Sequence, residues 1–439
     1  MHTRTPKLKR VTRRAAQAGF GSLVHEFGLL HHLPHRMFRK RDAFKDSAAD
    51  AKTLVRTLEE LGPGFVEAGR IVASRSDIVP RHYQRALLNS TSGLGVMAEV
   101  KFKKLLAAAI GKRESAGITH IDSKPYRSNL VSETRKGILK NGKRVLITVN
   151  DPNAVALLGR NLLDIRQIAH AAKTKFADTV LDNALQELEN RAGLLSDLSA
   201  VAARVEMLVA QFEHHQKISI PEVLWEYTSR DCLVQRWHNH PTMREAAFGG
   251  KKISAAAKYI NRYAAEAFAY QYGVGGVFIL RPLLSDMQID VQNALFVNHM
   301  LGTGYLEPLE RKQFCALAYA LLAGESELAA KVLLSAHYKR PSQPDYFAAG
   351  IQVPEPKKAP VSELVWELLE QAWAGGLYVP LAISMAAESL LYFERAFNKF
   401  DAEASVNDNM RLAIKKYIPE IFSLKKSASA KEVVQSVIL

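Results

Sequence analysis

Histidine is the residue type in this chain that most invites a chemical reading. His25, His31, His32 and His35 crowd the N-terminal region, His214 and His215 are adjacent, and His238 and His240 flank one residue. A zinc site needs three or four ligands, commonly with cysteine or carboxylate support. None of these groups has a defined set, so no metal is expected, and the first group is read as the polar face of an amphipathic element, LVHEFGLLHHL. Cys232 and Cys315 lie far apart among apolar neighbours, which suits buried thiols in a reducing compartment and not a disulfide framework. Trp225, Tyr227 and Trp237 could stack on bases, yet aromatics alternating along a strand more often fill a core. The sequence has no nucleophile elbow, no H-E-x-x-H and no Walker A loop.

The elements that must carry any site can be traced by periodicity. Ala51, Leu54, Val55, Leu58 and Leu61 recur at helical steps, Gly62-Pro63 breaks that helix, and Phe65 to Ala73 starts another. A further helix is expected over 97–111. Residues 119–150 hold short runs split by turn residues, and LKNGKRVLITVNDP combines an Asn-Gly hairpin signal with the apolar run Val145 to Val149. Helices are expected over 153–216, 253–275, 308–338 and 361–424. IPEVLWEYTSRDCLVQRW reads as two short strands about a Thr-Ser turn, and PSQPDYFAAGIQVPEPKKAP, with five prolines, reads as a linker.

Residues 58–80, LEELGPGFVEAGRIVASRSDIVP, carry the most specific signal. They resemble the signature segment of the UbiB family of AarF-domain atypical kinases, whose members read close to LEELGPTFIKLGQ followed by Ser-x-Arg-x-Asp and a Pro. The resemblance continues through IPEVLWEYTS (220–229) and GYLEPLERKQFCALAYALLAGE (304–325), and more loosely through 376–403. It implies a mainly helical α+β chain: a bilobal protein-kinase-like fold with a helical N-terminal extension, which packs over the site, and C-terminal helices.

What the resemblance implies about chemistry is loss. Phosphoryl transfer needs a phosphate-covering loop, a strand lysine with an acidic partner, a catalytic acid or base, and metal ligands. At the signature segment Gly69 is kept, but the family's Lys and Gln become Glu67 and Arg70. The strand that resembles VAVKVQRP is VLITVNDP, with Thr148 in the lysine's place; Lys143 and Arg144 are nearby, and only Arg144 shares Thr148's face of an ideal strand. KPYRSNLVSETR replaces the small-residue phosphate cover with Tyr126, Arg127 and Asn129. The family's Glu-x-Asp element resembles Glu187-Leu188-Glu189, the best-preserved acids. GVFILRPLLSD aligns with the catalytic GFFHADPHPGN, so Arg281 replaces the catalytic Asp and Asp286 the metal-binding Asn. NHMLGTG aligns with LDFGMTG, so His299 replaces the metal-binding Asp. An arginine cannot act as a carboxylate base, and magnesium prefers oxygen ligands. No catalytic residue, no metal and no cofactor is therefore expected, ATP and magnesium included; a weak metal contact through Asp286, joined by Asp290 in a shifted register, is the alternative.

Composition bounds the rest. The chain has 439 residues, a net charge of +15 and 48% apolar residues, enough for a sizeable core. Much of the excess charge lies in the first 45 residues, which favours an anionic partner. No run is long and apolar enough for a transmembrane helix. The expected organisation is a basic extension (1–46), a helical extension (47–118), an N-lobe-like region (119–235), a C-lobe-like region (236–340), a linker (341–360), C-terminal helices (361–424) and a polar tail (425–439). The first functional reading is a degenerate, cytoplasmic and peripherally membrane-bound accessory of isoprenoid-quinone (ubiquinone) or related lipid metabolism, with an anionic membrane surface and a quinone-biosynthesis protein as partners. The second is a residual ATPase or kinase using Glu187, Glu189 and Asp286. The third, a nucleic-acid binder using the basic arm, lacks interleaved aromatics.

Overall fold

The computed structural model describes residues 48–73, 81–88, 93, 95–171, 178–213, 215, 218–248, 262, 264–280, 284–290, 294–298, 302–336, 350–351, 354–355, 359–374, 377, 379–397 and 406–438. The basic N-terminal arm with its four histidines and the Ser-x-Arg-x-Asp stretch lie outside them.

The extension begins with α1 (Ala48–Leu61), α2 (Pro63–Ala73) and α3 (Arg81–Leu88), which share a small core of Ala51, Ala73, Tyr83 and Leu87. The break between α1 and α2 forms where the sequence places it, with Gly62 at φ +125°, a conformation that glycine alone adopts without strain. Asn161 fixes this break. Its Oδ1 accepts from Gly64 N at 3.1 Å and its Nδ2 donates to Leu61 O at 3.2 Å, so one buried amide satisfies the end of one helix and the start of the next.

The strand lobe consists of α4 (Glu99–Ile110), β1 (Ile118–Ile121), β2 (Arg127–Ser128), β3 (Ser132–Leu139) and β4 (Arg144–Asn150). Three helices then cross toward the second lobe: α5 (Pro152–Ala171), α6 (Asp178–Ser196) and α7 (Leu198–Phe212). Asp197 caps α7 by accepting from the amides of Ser199 and Ala200. β5 (Ile218–Ser219) and β6 (Cys232–Arg236) follow, and β6 returns to the first sheet, whose antiparallel order is β1-β3-β4-β6 with β2 beside β3. One face of that sheet packs on α4 through Phe102, Leu106, Val145, Ile147, Val149, Cys232 and Val234.

The helical lobe contains α8 (Met243–Phe248), a helical segment over 264–270 that widens into a π-turn at Gln271–Gly275, β7 (Val277–Ile279), β8 (Met287–Ile289), β9 (Leu295–Val297) and β10 (Thr303–Tyr305). β7 pairs with β10, and β8 with β9, which also takes β5 in parallel. Then come α9 (Pro308–Leu322), α10 (Ser326–Ala336), α11 (Val361–Ala374), α12 (Leu381–Phe397), α13 (Val406–Phe422) and α14 (Ala430–Ile438). Every residue of α9 from Gln313 to Leu322 is buried, which makes it the central helix of the lobe, and a reciprocal Glu307/Glu310 box starts it.

Three features depart from expectation. The first strand of IPEVLWEYTSRDCLVQRW is a single bridge, Val223 to Gln235, followed by a 3-10 turn at Trp225–Tyr227, and Trp225 is 48% exposed instead of filling a core. The polar tail is a docked helix, α14, whose Val433, Val434 and Val437 are buried against the same core as α9 and α10. At roughly 1.5–3 kcal/mol for each fully buried side chain of this size, that docking contributes substantially. The C-terminal helices likewise share one continuous core with α7 and α9 and do not form a separate accessory element. Most of the proline-rich segment lies outside the described residues, but Ile351 is buried in that core, and the Asn407 side chain binds Ala359 O and Val361 N, both at 2.7 Å.

Candidate functional site

The extension meets the scaffold through charge. Glu67 is buried on α2, where Arg70 donates to its Oε2 at 3.2 Å and Arg191 of α6 to its Oε1 at 2.9 Å. Arg191 also donates through Nε to Glu187 Oε1 at 2.7 Å. Burial alone would weaken the charge on Arg191, but Glu67, Glu187 and Glu388 outweigh it and hold the guanidinium more firmly protonated than usual. Glu189 points elsewhere and takes a hydrogen bond from Arg166 of α5. The two acids of the Glu-x-Glu element are therefore bound by arginines, one of them inside the signature-segment network. Gly69 is a packing requirement: a Cβ there would come within 2.6 Å of Leu58 Cδ1 on α1.

On the cleft face of the strand lobe, Thr148 is buried and carries no charge. Register pairs it with Thr134 on β3, and the two hydroxyls share a hydrogen bond of 2.8 Å. The nearest lysine along that face is Lys136, two residues beyond Thr134, whose Nζ lies 4.6 Å from the Trp237 ring centroid and 5.5 Å from that of Tyr126. Arg144 shares the strand face of Thr148 as expected, but it is exposed at the end of the sheet, and Lys143 lies 3.9 Å from Glu222. On the opposite face a buried pair, Glu133 and Arg135, grips the chain before α4. Arg135 donates to Glu133 at 2.8 Å and to Met97 O at 2.6 Å, and Met97 N donates to Glu133 at 2.8 Å.

Between the lobes the covering loop is fastened to the segment that follows the expected catalytic strand. Arg127 donates to Asp286 Oδ2 at 2.5 Å and to Ser285 Oγ at 3.0 Å, and Tyr126 OH donates to Ser285 O at 2.8 Å. Tyr126 also meets Trp237 edge-on, with centroids 5.1 Å apart. Burial raises the Asp286 carboxyl to about 7 against the pull of Arg127, and burial followed by the field of Asp286 raises the Tyr126 phenol. Asp286 Oδ1 and the side-chain amide oxygen of Asn298, directly across the β8–β9 hairpin, are buried without a hydrogen-bond partner among the described residues. The Asn298 amide N donates to Asp286 O at 2.7 Å.

Of the residues singled out by sequence, Glu67, Arg70 and Glu187 come together through Arg191, Asp286 meets Arg127, and Glu189 and Thr148 stand apart from both groups. Arg281 and His299 lie outside the described residues. Asp290 turns back to cap its own hairpin, accepting from Ala294 N at 2.8 Å. His238 and His240 stack beside Phe296 without a third ligand, and among the described residues no cluster of three metal-ligating side chains forms. Both cysteines are buried, which raises both thiols, Cys315 to about 12. Sequence reasoning missed Arg191, Lys136, Asn298 and the Glu133–Arg135 pair. For Arg191 a signal existed: a cation four residues after Glu187 shares its helix face.

The scaffold now has a counterpart among known proteins. Residues 91–333, more than half of the chain, match the ABC1 atypical kinase-like domain. The chain belongs to that family. Relatives include the uncharacterized protein slr0889 of Synechocystis, 23% identical over 375 residues, which cover 79% of this chain and 89% of that protein. The probable protein kinase UbiB of Cellvibrio japonicus is 24% identical over 203 residues, covering 45% of this chain and 37% of that protein. The chloroplastic Activity of BC1 complex kinase 7 of Arabidopsis thaliana is 20% identical over 300 residues, 66% of this chain and 42% of that protein. In fold, the chain is similar to Mycobacterium tuberculosis Rv3197, solved in complex with erythromycin, with a TM-score of 0.54 at 14% identity, covering 85% of this chain and 96% of that one. As in the family at large, the architecture is a mainly helical α+β kinase-like fold. Among the described residues no helix is long and apolar enough to cross a membrane.

Proposed function

We propose that this UbiB-like chain is a kinase fold without phosphoryl-transfer activity, acting as a non-catalytic accessory or scaffold in isoprenoid-quinone or related lipid metabolism. The observation that carries this reading is the contact between Arg127 and Asp286. The loop that should cover a nucleotide's phosphates is tied instead to the residue that should hold its metal. A guanidinium keeps its charge at any ordinary pH, so a divalent cation at Asp286 would meet a fixed like charge at hydrogen-bond distance from the same carboxylate. The strand position that needs a cation offers the Thr148 hydroxyl, already paired with Thr134. These residues do not fit ATP with magnesium.

One observation favours a rewired ATPase as the second reading. Among the described residues Asp286 Oδ1 and the Asn298 amide oxygen are buried without partners, and Lys136 lies on the cleft face next to the threonine pair. A thermal melt of the full chain with ATP, with and without magnesium, separates the two. No shift and no phosphate release are expected. A magnesium-dependent shift with slow hydrolysis that Asp286→Ala abolishes would establish the second reading and overturn the first.

A further inference from the structure

The helical lobe has a concave basic site that none of the cleft residues lines. A groove of about 520 Å³ runs between the helical segment bearing Arg262 and Glu266 and one face of α13. That volume falls in the range of small-molecule pockets. Leu412 and Lys416, four residues apart, share the α13 face toward it, and Lys415 borders the same stripe. Lys426 arrives from the far side because α13 stops at Ser423, where a φ of 58° turns the chain back before α14.

The charges are unbalanced. Among the described residues four cations line the groove and one carboxylate, Glu266, answers them. Glu266 is engaged by Lys416 at 3.1 Å and Arg262 at 3.6 Å, and its neighbour His215 approaches at 3.6 Å. Lys415 and Lys426 make no ion pair or hydrogen bond among the described residues. Ammonium groups converging on a concavity repel one another, and a multivalent anion placed between them removes that repulsion. Leu412, 63% exposed at the lip, offers apolar surface where a charged groove alone would have none.

We propose that this groove binds an organic phosphate or diphosphate, its anionic end held by Lys415, Lys426 and Arg262 and its carbon portion resting on Leu412. Lys416 and Glu266 cross the groove and hold its two walls together. The proposal does not depend on whether the cleft is catalytic. The anion could belong to a soluble metabolite or to a lipid headgroup.

The full chain is titrated calorimetrically with inorganic pyrophosphate, and in parallel floated with vesicles of phosphatidylcholine alone or mixed with phosphatidylglycerol. The comparison protein carries Lys415→Gln and Lys426→Gln, two changes on the protein's outer face that should leave the melting temperature unchanged. At least a tenfold loss of pyrophosphate affinity in the double variant, with the wild-type affinity weakening as salt is raised, is expected and identifies a soluble ligand. Loss confined to phosphatidylglycerol vesicles supports the same site with a headgroup as its ligand. Equal binding of both probes by the two proteins, or no binding of either probe by the wild type, overturns the proposal.

Discussion

Glu67, where the family resemblance implies a lysine, is met by arginines, whereas Thr148, where it implies another lysine, is met only by a hydroxyl. At the first position the family resemblance implies a basic residue; the acid that stands there is met by Arg191 of α6, so the extension is locked to the scaffold by a buried ion network. At the second the resemblance implies a strand cation, and the acids that would partner it are held by Arg191 and Arg166. A compensated change points to a contact whose geometry has to persist. An uncompensated one points to a contact that is dispensable. On the proposed reading, this chain keeps the clamp of its extension and gives up the grip on phosphate.

The largest effect should come from breaking the compensated side. Arg191→Met leaves Glu67 buried with Arg70 and releases Glu187, and should cost about 3–5 kcal/mol in chemical denaturation, as for other buried pairs that lose one partner. A loss below about 1 kcal/mol would show that the network is not what fastens the extension. The uncompensated side is tested by putting the lysine back. Thr148→Lys buries an ammonium on a strand face whose own neighbours Thr134, Lys136 and Leu146 bring no carboxylate, and should destabilise by about 2–3 kcal/mol, with no recovery on adding ATP. A melting temperature restored by ATP would mean that the cleft still has its phosphate geometry, and the comparison would fail.

The last effect is read as a slope in pH. Asp286 titrates at about 7 in the folded chain against an ordinary 3.8. Between those values the folded chain holds a proton that the unfolded chain has released. Stability from this group is thus complete below the lower value and declines as pH rises through the upper one. One proton limits the slope to ~1.4 kcal/mol per pH unit. Glu394, buried and raised to about 7, adds a second contribution of the same sign. Asp286→Asn should flatten the stability profile between pH 4.5 and 7 by about one proton's share, read from urea melts across that range. An unchanged profile would mean that Arg127 keeps the carboxylate ionised throughout, which would make the contact across the cleft a full ion pair.

The parts of this architecture that were legible in sequence are those written locally. Gly62-Pro63 marks a helix break, Asn141-Gly142 a hairpin, and Val145 to Val149 a central strand, because each signal lies within a few residues of the structure it makes. Trp225 was misplaced because Thr228 curls the chain there: its hydroxyl donates to Leu224 O and accepts from Val234 N, which satisfies a turn that periodicity alone reads as extended. The helix α14 went unread because three valines among polar residues mean little until α9 and α10 provide a surface. The cleft contact was out of reach for another reason. Arg127 and Asp286 stand 159 residues apart, and only the closing of two lobes brings them together. The register over 277–302 was not fixed by the residues alone; β7 pairing with β10 and β8 with β9 place Asp286 at a hairpin base.

The pair on the reverse face of the sheet has a consequence for how this chain can change over generations. Glu133 and Arg135 hold position 97 by its amide and its carbonyl, groups that every residue except proline carries alike. The side chain at 97 can therefore drift among apolar types without loosening the strap. The two gripping residues have no such latitude. Both are fully enclosed, so replacing either alone would strand a charge in the interior, and they can be exchanged only as a couple.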